Sequence, residues 1–244
     1  MERSINSSEK EALDNLIIFK WKELLSQPFL LNFSESLMGK DNRVYALYLT
    51  QLYHYSKHTA RTFALVAVSH CNSDIRYMQF CLEHALEEIG LEQLVLNDLH
   101  ALGVPLNADE IPPPLPETDL LIAYLYRIAT YGSPVQRLGY SYWAEGSHKL
   151  YGEFIESVML GMGLQKKQRT YFYNHAMVED KHFKGVEEML AHMCRTPDDW
   201  QQVMKTASIT IDLIQNIIKA VLQHYSKLIE HAAPEYEVLN EISS

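Results

Sequence analysis

Apolar residues return every three or four positions along most of the chain, and that period predicts helices. Leu13, Ile17, Trp21 and Leu24 set the first example, a helix capped by Ser8 and running to about Gln27. Pro28 interrupts it, and a short amphipathic piece continues to Gly39. A second helix is predicted from about Arg43 to His70. One of its faces, Ala46, Thr50, Tyr53, His54, Lys57, Arg61 and Ala64, is mixed in polarity and suits a polar cavity as well as solvent. The turn Asn72-Ser73-Asp74 caps a third helix that Gly103 and Pro105 end near Leu102. Pro105, Pro112, Pro113, Pro114 and Pro116 exclude helix from Val104 to Pro116, which reads as an ordered internal connection or lid. Thr118 then caps a helix to about Tyr131, and Gly132-Ser133-Pro134 opens another through Gly161. Leu164–Cys194 forms the next, and Pro197 starts the last, which runs to about His231. The tail Pro234–Ser244 is expected to fray. The pattern predicts an all-α chain of seven or eight helices in a single domain over 1–244, with no strand.

Composition narrows the function more than the fold. Ten glycines and nine prolines are few for 244 residues, which suits long helices and not a sandwich or barrel. A net charge of −10 without Lys/Arg clusters argues against a nucleic-acid partner. The three cysteines, Cys71, Cys81 and Cys194, cannot all pair and form no C-x-x-C, as in a reduced intracellular protein. The polar start carries no apolar leader, and Thr62–Cys71 and Leu120–Tyr126 are too short to span a bilayer. A soluble, cytoplasmic protein with no membrane partner is expected, with a homodimer as the base-rate assembly.

The strongest chemical pattern is His175-x-x-x-Glu179-x-x-His182. Positions i, i+4 and i+7 fall within about 60° on a helix, so two imidazoles and a carboxylate share one face. Such a set suits Fe, Mn or Zn; the alternative is a solvated or hydrogen-bonded face. His84-x-x-x-Glu88-x-x-Leu91 repeats the spacing with Leu in the last slot. Glu145 precedes His175 by 30 residues, and His54 precedes His84 by the same 30. Two similar helix pairs would then aim His54, His84, Glu88, Glu145, His175, Glu179 and His182 at one space. Glu87 and Glu88 compete for the inward position, and helical phase with His84 favours Glu88. Glu145-x-x-His148 looks like half of a ferritin-like site, but Glu145 and Glu179 fall on successive helices, which that plan does not do.

Together the segments YHYSKHTARTFALVA, H-x-x-E-E-x-G, D-L-x-A-L-G, YWAEGSH and N-H-x-x-x-E-D-x-H resemble the heme-oxygenase-like helical fold. Within it the chain is similar to the iron-containing di-metal oxidases, the group of the chlamydial protein associating with death domains and of pyrroloquinoline-quinone synthase. The resemblance spans about Asn32 to Tyr225. It implies that Glu145, His175, Glu179 and His182 are ligands, with Glu179 standing where relatives carry Asp. Leu91 stands where these relatives usually place a histidine ligand, and His84 is the residue that can substitute. Haem binding would need an axial histidine on the first helix, and none precedes His54. Thiaminase-like chemistry would need an activated cysteine, for which no activating partner is evident.

The leading expectation is therefore an oxidoreductase that uses dioxygen and a small organic substrate at a non-haem iron centre. Two irons fit best, with Mn, Zn or no metal as alternatives. His84, Glu88, Glu145, His175, Glu179 and His182 are the expected ligands, and Tyr142, Tyr171 and His54 the catalytic candidates. Two other readings stay open: a metal-free oxidase of the quinone-synthase type, in which imidazoles act as acids and bases, and a non-catalytic binding protein with a degenerate site.

Overall fold

The computed structural model describes residues 7–28, 41–70, 74–104 and 106–242, with backbone only for residues 7, 148, 150, 151, 154 and 175–180. Among them the first half forms α1 (Ser7–Leu25), α2 (Asn42–Ser56), α3 (Thr59–His70), α4 (Ile75–Glu87) and α5 (Leu91–Ala101). The second half forms α6 (Pro116–Tyr131), α7 (Gln136–Glu145), α8 (Ser147–Gly161), α9 (Thr170–Met193) and α10 (Pro197–Ile229). Short 3-10 helices cover Lys166–Gln168 and Pro234–Glu241, and no strand occurs among the described residues.

The longest helix organises the rest. Pro197 at the first position of α10 has no N–H to leave unpaired, and the Thr196 hydroxyl accepts from the Asp199 amide at 3.2 Å. Its 33 residues span about 50 Å, and Trp200, Val203, Ala207, Ile211, Ile214, Ile217, Val221 and Leu228 bury one stripe. That stripe packs against α1, α2, α6 and α7. Helix α7 is buried on nearly every side. It comes close to α10 because Gly139 has no side chain; a Cβ there would sit 2.3 Å from the Val203 carbonyl oxygen. Trp143 locks the same contact by donating to Thr210 Oγ1 at 2.8 Å.

Among the described residues ten helices stand where the pattern predicted seven, because three predicted helices are each broken once. The Arg43–His70 helix ends at Ser56 and restarts at Thr59 without a Gly or Pro to signal it; α3 leaves to pack on α4 and α6. The helix predicted to Leu102 breaks at Gly90, whose φ of +87° suits glycine. The helix predicted through Gly161 breaks at Gly146, where a Cβ would lie 2.8 Å from the Tyr142 carbonyl oxygen. The amphipathic piece expected up to Gly39 lies outside the described residues.

The tail, expected to fray, is anchored over residues 234–242. Tyr236, Leu239 and Ile242 are buried, and the Tyr236 hydroxyl donates to the Pro113 carbonyl at 2.6 Å. The proline-rich connection is latched from the other side by α2. Gln51 Oε1 accepts from the Leu115 amide and the Thr118 hydroxyl, each at 2.8 Å, and His54 Nε2 bonds the Pro112 carbonyl at 2.7 Å. One apolar cluster runs from Leu13 on α1 to Ile242. No described helix is long and apolar enough to cross a membrane.

Candidate metal centre

Helices α4, α7 and α9 converge, and two aspartates fix α9, one against α4 and the other against α5. Asp74 caps α4 by accepting the Tyr77 amide at 2.9 Å, and its other oxygen takes His192 Nε2 of α9 at 2.7 Å. Asp98 on α5 lies fully buried and satisfies the start of α9, accepting the Thr170 amide at 2.7 Å and the Tyr171 amide at 3.0 Å. A negative charge at a helix N-terminus also meets the positive end of the helix dipole. Near the middle, Gly185 lets Phe80 approach to 3.3 Å from where a Cβ would stand.

Between these anchors His84, Glu88, Glu145 and His182 are buried together, with one ligating atom from each within 4.8 Å of all the others. Glu145 bridges the imidazoles: Oε1 lies 3.0 Å from His84 Nε2 and Oε2 lies 3.3 Å from His182 Nδ1. Glu88 Oε1 stands back, 4.0 Å from His84 Nε2 and 3.9 Å from His182 Nδ1. The two rings are 4.4 Å apart at their centroids, and Phe63 covers His84 at 4.3 Å. Helical phase thus selects Glu88 for the interior, and Glu87 takes the rim. There Glu87 accepts from His182 Nε2 at 2.7 Å and pairs with Lys181, so Nδ1 is the His182 nitrogen turned to the cluster.

The electrostatics show a site with more negative charge than its own protons comfortably balance. Burial and the neighbouring Glu145 carboxylate push Glu88 up to about 8. Burial opposes the charge on His182, but the carboxylates of Glu145, Glu87 and Glu88 outweigh it and raise His182 to about 9. A divalent cation can replace those protons, since carboxylates and imidazoles ligate in their deprotonated forms. Two imidazoles and two carboxylates are a donor set suited to iron, manganese or zinc. A recess of about 280 Å³ reaches this cluster from the surface, walled by His84, His182, Glu87 and Lys181, with Arg76, Glu83 and Glu188 among its polar lining.

Other sequence candidates fall elsewhere. The side chains of His175 and Glu179 lie outside the described residues, although their backbone belongs to α9. Tyr171 is buried within electrostatic reach of Glu88 and Glu145, and burial holds its phenol above the usual range. Tyr142 is corrected: its hydroxyl donates to Asp14 Oδ1 at 2.7 Å, tying α7 to α1 instead of serving the cluster. His54 is corrected too, because its ring bonds the Pro112 carbonyl and belongs to the latch. Leu91 opens α5, packs half-buried on the core and offers no ligand. Cys81 is buried, and burial pushes the Cys194 thiol up to about 12, which leaves it unreactive as a nucleophile. The supporting residues Glu87, Asp74 and Asp98 were not singled out by sequence as partners. Asp74 carried a signal as a predicted cap and Glu87 as the competitor of Glu88; Asp98 carried none.

Residues 46–215 match the family described as an iron-containing redox enzyme, and the chain belongs to that family. A domain from Shewanella denitrificans, described as of unknown function with a heme oxygenase-like fold, is 32% identical with a TM-score of 0.84, covering 95% of this chain and 97% of that one. A TenA homologue from Pseudomonas syringae pv. tomato has a TM-score of 0.70 at 12% identity, covering 91% of this chain and 99% of that one. A TenA homologue from Pyrococcus furiosus has a TM-score of 0.67 at 16% identity, covering 87% and 99%. The last two share the fold; no curated protein matches the sequence. The resemblance to the heme-oxygenase-like fold is thereby established.

Proposed function

We propose that the protein is an oxygen-dependent oxidoreductase that oxidises a small organic substrate at a non-haem iron held by His84, Glu88, Glu145 and His182. The observation that carries this reading is the buried convergence of those four side chains, within 4.8 Å, in a member of an iron-containing redox family. Iron in such a site supplies the one-electron chemistry that lets dioxygen react with an organic molecule. Glu145 would help to hold the iron, and its two oxygens face different imidazoles. His175 and Glu179, at motif spacing before His182, are the further donors a second iron would draw on. Glu87 holds His182 by Nε2 and keeps Nδ1 directed inward, the support that metal-bound histidines usually require. Phe63 and Phe80 shield His84 from water.

Elemental analysis of protein produced with added iron tests this directly. About one to two equivalents, reduced to background by His84→Ala, is the expected result, together with substrate-dependent oxygen consumption. Less than about a tenth of an equivalent of any transition metal, unchanged by the substitution, overturns it. The metal-free reading has one observation in its favour: Leu91 supplies no ligand where relatives carry one. Substrate-dependent oxygen uptake that survives exhaustive chelation would select that reading, with Glu88 and His182 as the proton-holding pair.

A further inference from the structure

Arg137, Ser141 and Glu145 follow one another along α7 at four-residue steps, so they share one helix face, each step rising about 6 Å. Glu145 ends that face in the metal centre. The other two polar groups have no hydrogen-bond partner. Both are 1% exposed, and Nε, Nη1 and Nη2 of Arg137 and Oγ of Ser141 are sealed from solvent with no hydrogen-bond partner. The guanidinium lies against two rings, 4.0 Å from the Phe63 centroid and 4.6 Å from that of Tyr140. Phe63 is the same ring that covers His84, so a single side chain separates the guanidinium from a ligand imidazole.

A structural arginine in a core is paired, because an unpaired buried charge is among the costliest arrangements a fold can hold. Here burial works against the charge, and Tyr140, Glu145, Tyr77 and Glu88 act the other way. None of them hydrogen-bonds it. Three nitrogens with their N–H groups unused, one helical turn from an unused hydroxyl on the same face, are the complement of a missing acceptor.

We propose that Arg137 and Ser141 form the seat for the carboxylate of an organic-acid substrate. The guanidinium would take the two carboxylate oxygens as a fork, Ser141 would donate to one of them, and the body of the acid would extend along α7 toward Glu145. A singly charged carboxylate fits better than a phosphate dianion, because one guanidinium balances one charge and Glu88 and Glu145 repel any excess. Naming the acid as substrate rests on the oxidase reading above; the seat itself does not.

Binding of benzoate and hexanoate, with benzamide and hexanamide as neutral controls, tests the seat in the full-length protein by calorimetry and thermal shift. It is measured as purified, with iron content determined, and again after chelation. Both acids should bind in both states, the amides at least tenfold more weakly. Arg137→Gln should weaken the acids at least tenfold and Ser141→Ala about threefold. Without ligand, Arg137→Gln should melt no lower than the parent, since it removes a charge that lacks a partner. Equal binding of acids and amides, or acids bound equally by Arg137→Gln, overturns the seat. Binding that vanishes on chelation also overturns it, by placing the carboxylate on the metal. If Arg137→Gln does not fold, a benzoate-soaked crystal decides: carboxylate density about 3 Å from the guanidinium supports the seat, and water alone overturns it. Acid binding in a protein that holds no iron leaves the seat standing and removes the oxidase reading; iron without acid binding does the reverse.

Discussion

Two buried polar regions in this molecule are built on opposite terms. Around Gln51 and His54, amides, hydroxyls and carbonyls meet the buried polar atoms, and the one charged partner is Lys57 Nζ, 3.5 Å from His54 Nδ1. Gln51 Oε1 takes two donors, its Nε2 reaches Thr50 Oγ1 at 2.9 Å, and His54 meets a carbonyl at 2.7 Å. Around His84 and His182, two carboxylates are packed beside two imidazoles and one of them, Glu88, is pushed up to about 8 by burial and by its neighbour. The first region closes its own accounts of donors and acceptors, so it serves the fold by latching the proline-rich connection. The second is balanced only by protons that a cation can displace. Residue type does not separate the regions; both contain histidines. Whether the protein itself satisfies the buried groups does.

The comparison breaks most sharply under substitution. His84→Ala should lower metal affinity more than about 100-fold, beyond the range of supporting partners, as read by metal competition titration. His54→Ala should leave that affinity unchanged. Glu87→Ala should weaken metal binding about 10–100-fold, because it frees the His182 ring without removing a ligand; its melting point should barely move, since Glu87 sits on the rim. Gln51→Leu should act in the opposite sense. It leaves the Leu115 amide and the Thr118 hydroxyl unpaired in the interior, for a loss of about 2–4 kcal/mol in denaturant unfolding, with iron content unaltered.

The smallest effect is a pH-dependent one at Asp74, which belongs to neither region but joins α4 to α9. Burial would raise its pKa, yet the Tyr77 amide and His192 outweigh that and hold it below the ordinary carboxylate value. Its contribution is therefore present above the unfolded pKa and lost as pH falls through the folded one. Asp74→Ala should cost about 1 kcal/mol at pH 7 through the lost cap. The gap between parent and variant should narrow as the pH is taken below that of ordinary carboxylates, measured by chemical denaturation at each pH.

Spacing made much of this legible. The four-residue step from His84 to Glu88 needs only helical geometry to put both on one face, and the structure sets both in the cluster. The equal 30-residue offsets did not transfer so well. Glu145 lies in the cluster, whereas His54 is carried off with α2 to the latch. An offset counts residues, and it holds in space only if the intervening chain turns alike in both halves. The first half has an unsignalled break at Lys57 and His58, just after His54, so the helix that carries His54 parts there from the chain leading to His84. Asp98 was invisible for another reason: its partners, Thr170 and Tyr171, are some seventy residues away, and no local pattern marks a cap supplied by another helix.

By itself the sequence determined the helices, their apolar stripes and the faces on which histidines and carboxylates lie, because those follow from a 3.6-residue period set within each segment. Only the tertiary structure decided which faces meet. It turned Tyr142 toward Asp14, brought Glu87 to His182 at the rim, and left the Arg137 guanidinium buried without a hydrogen-bond partner. Those outcomes depend on where helices distant in the chain cross, and that is settled by packing across the whole core.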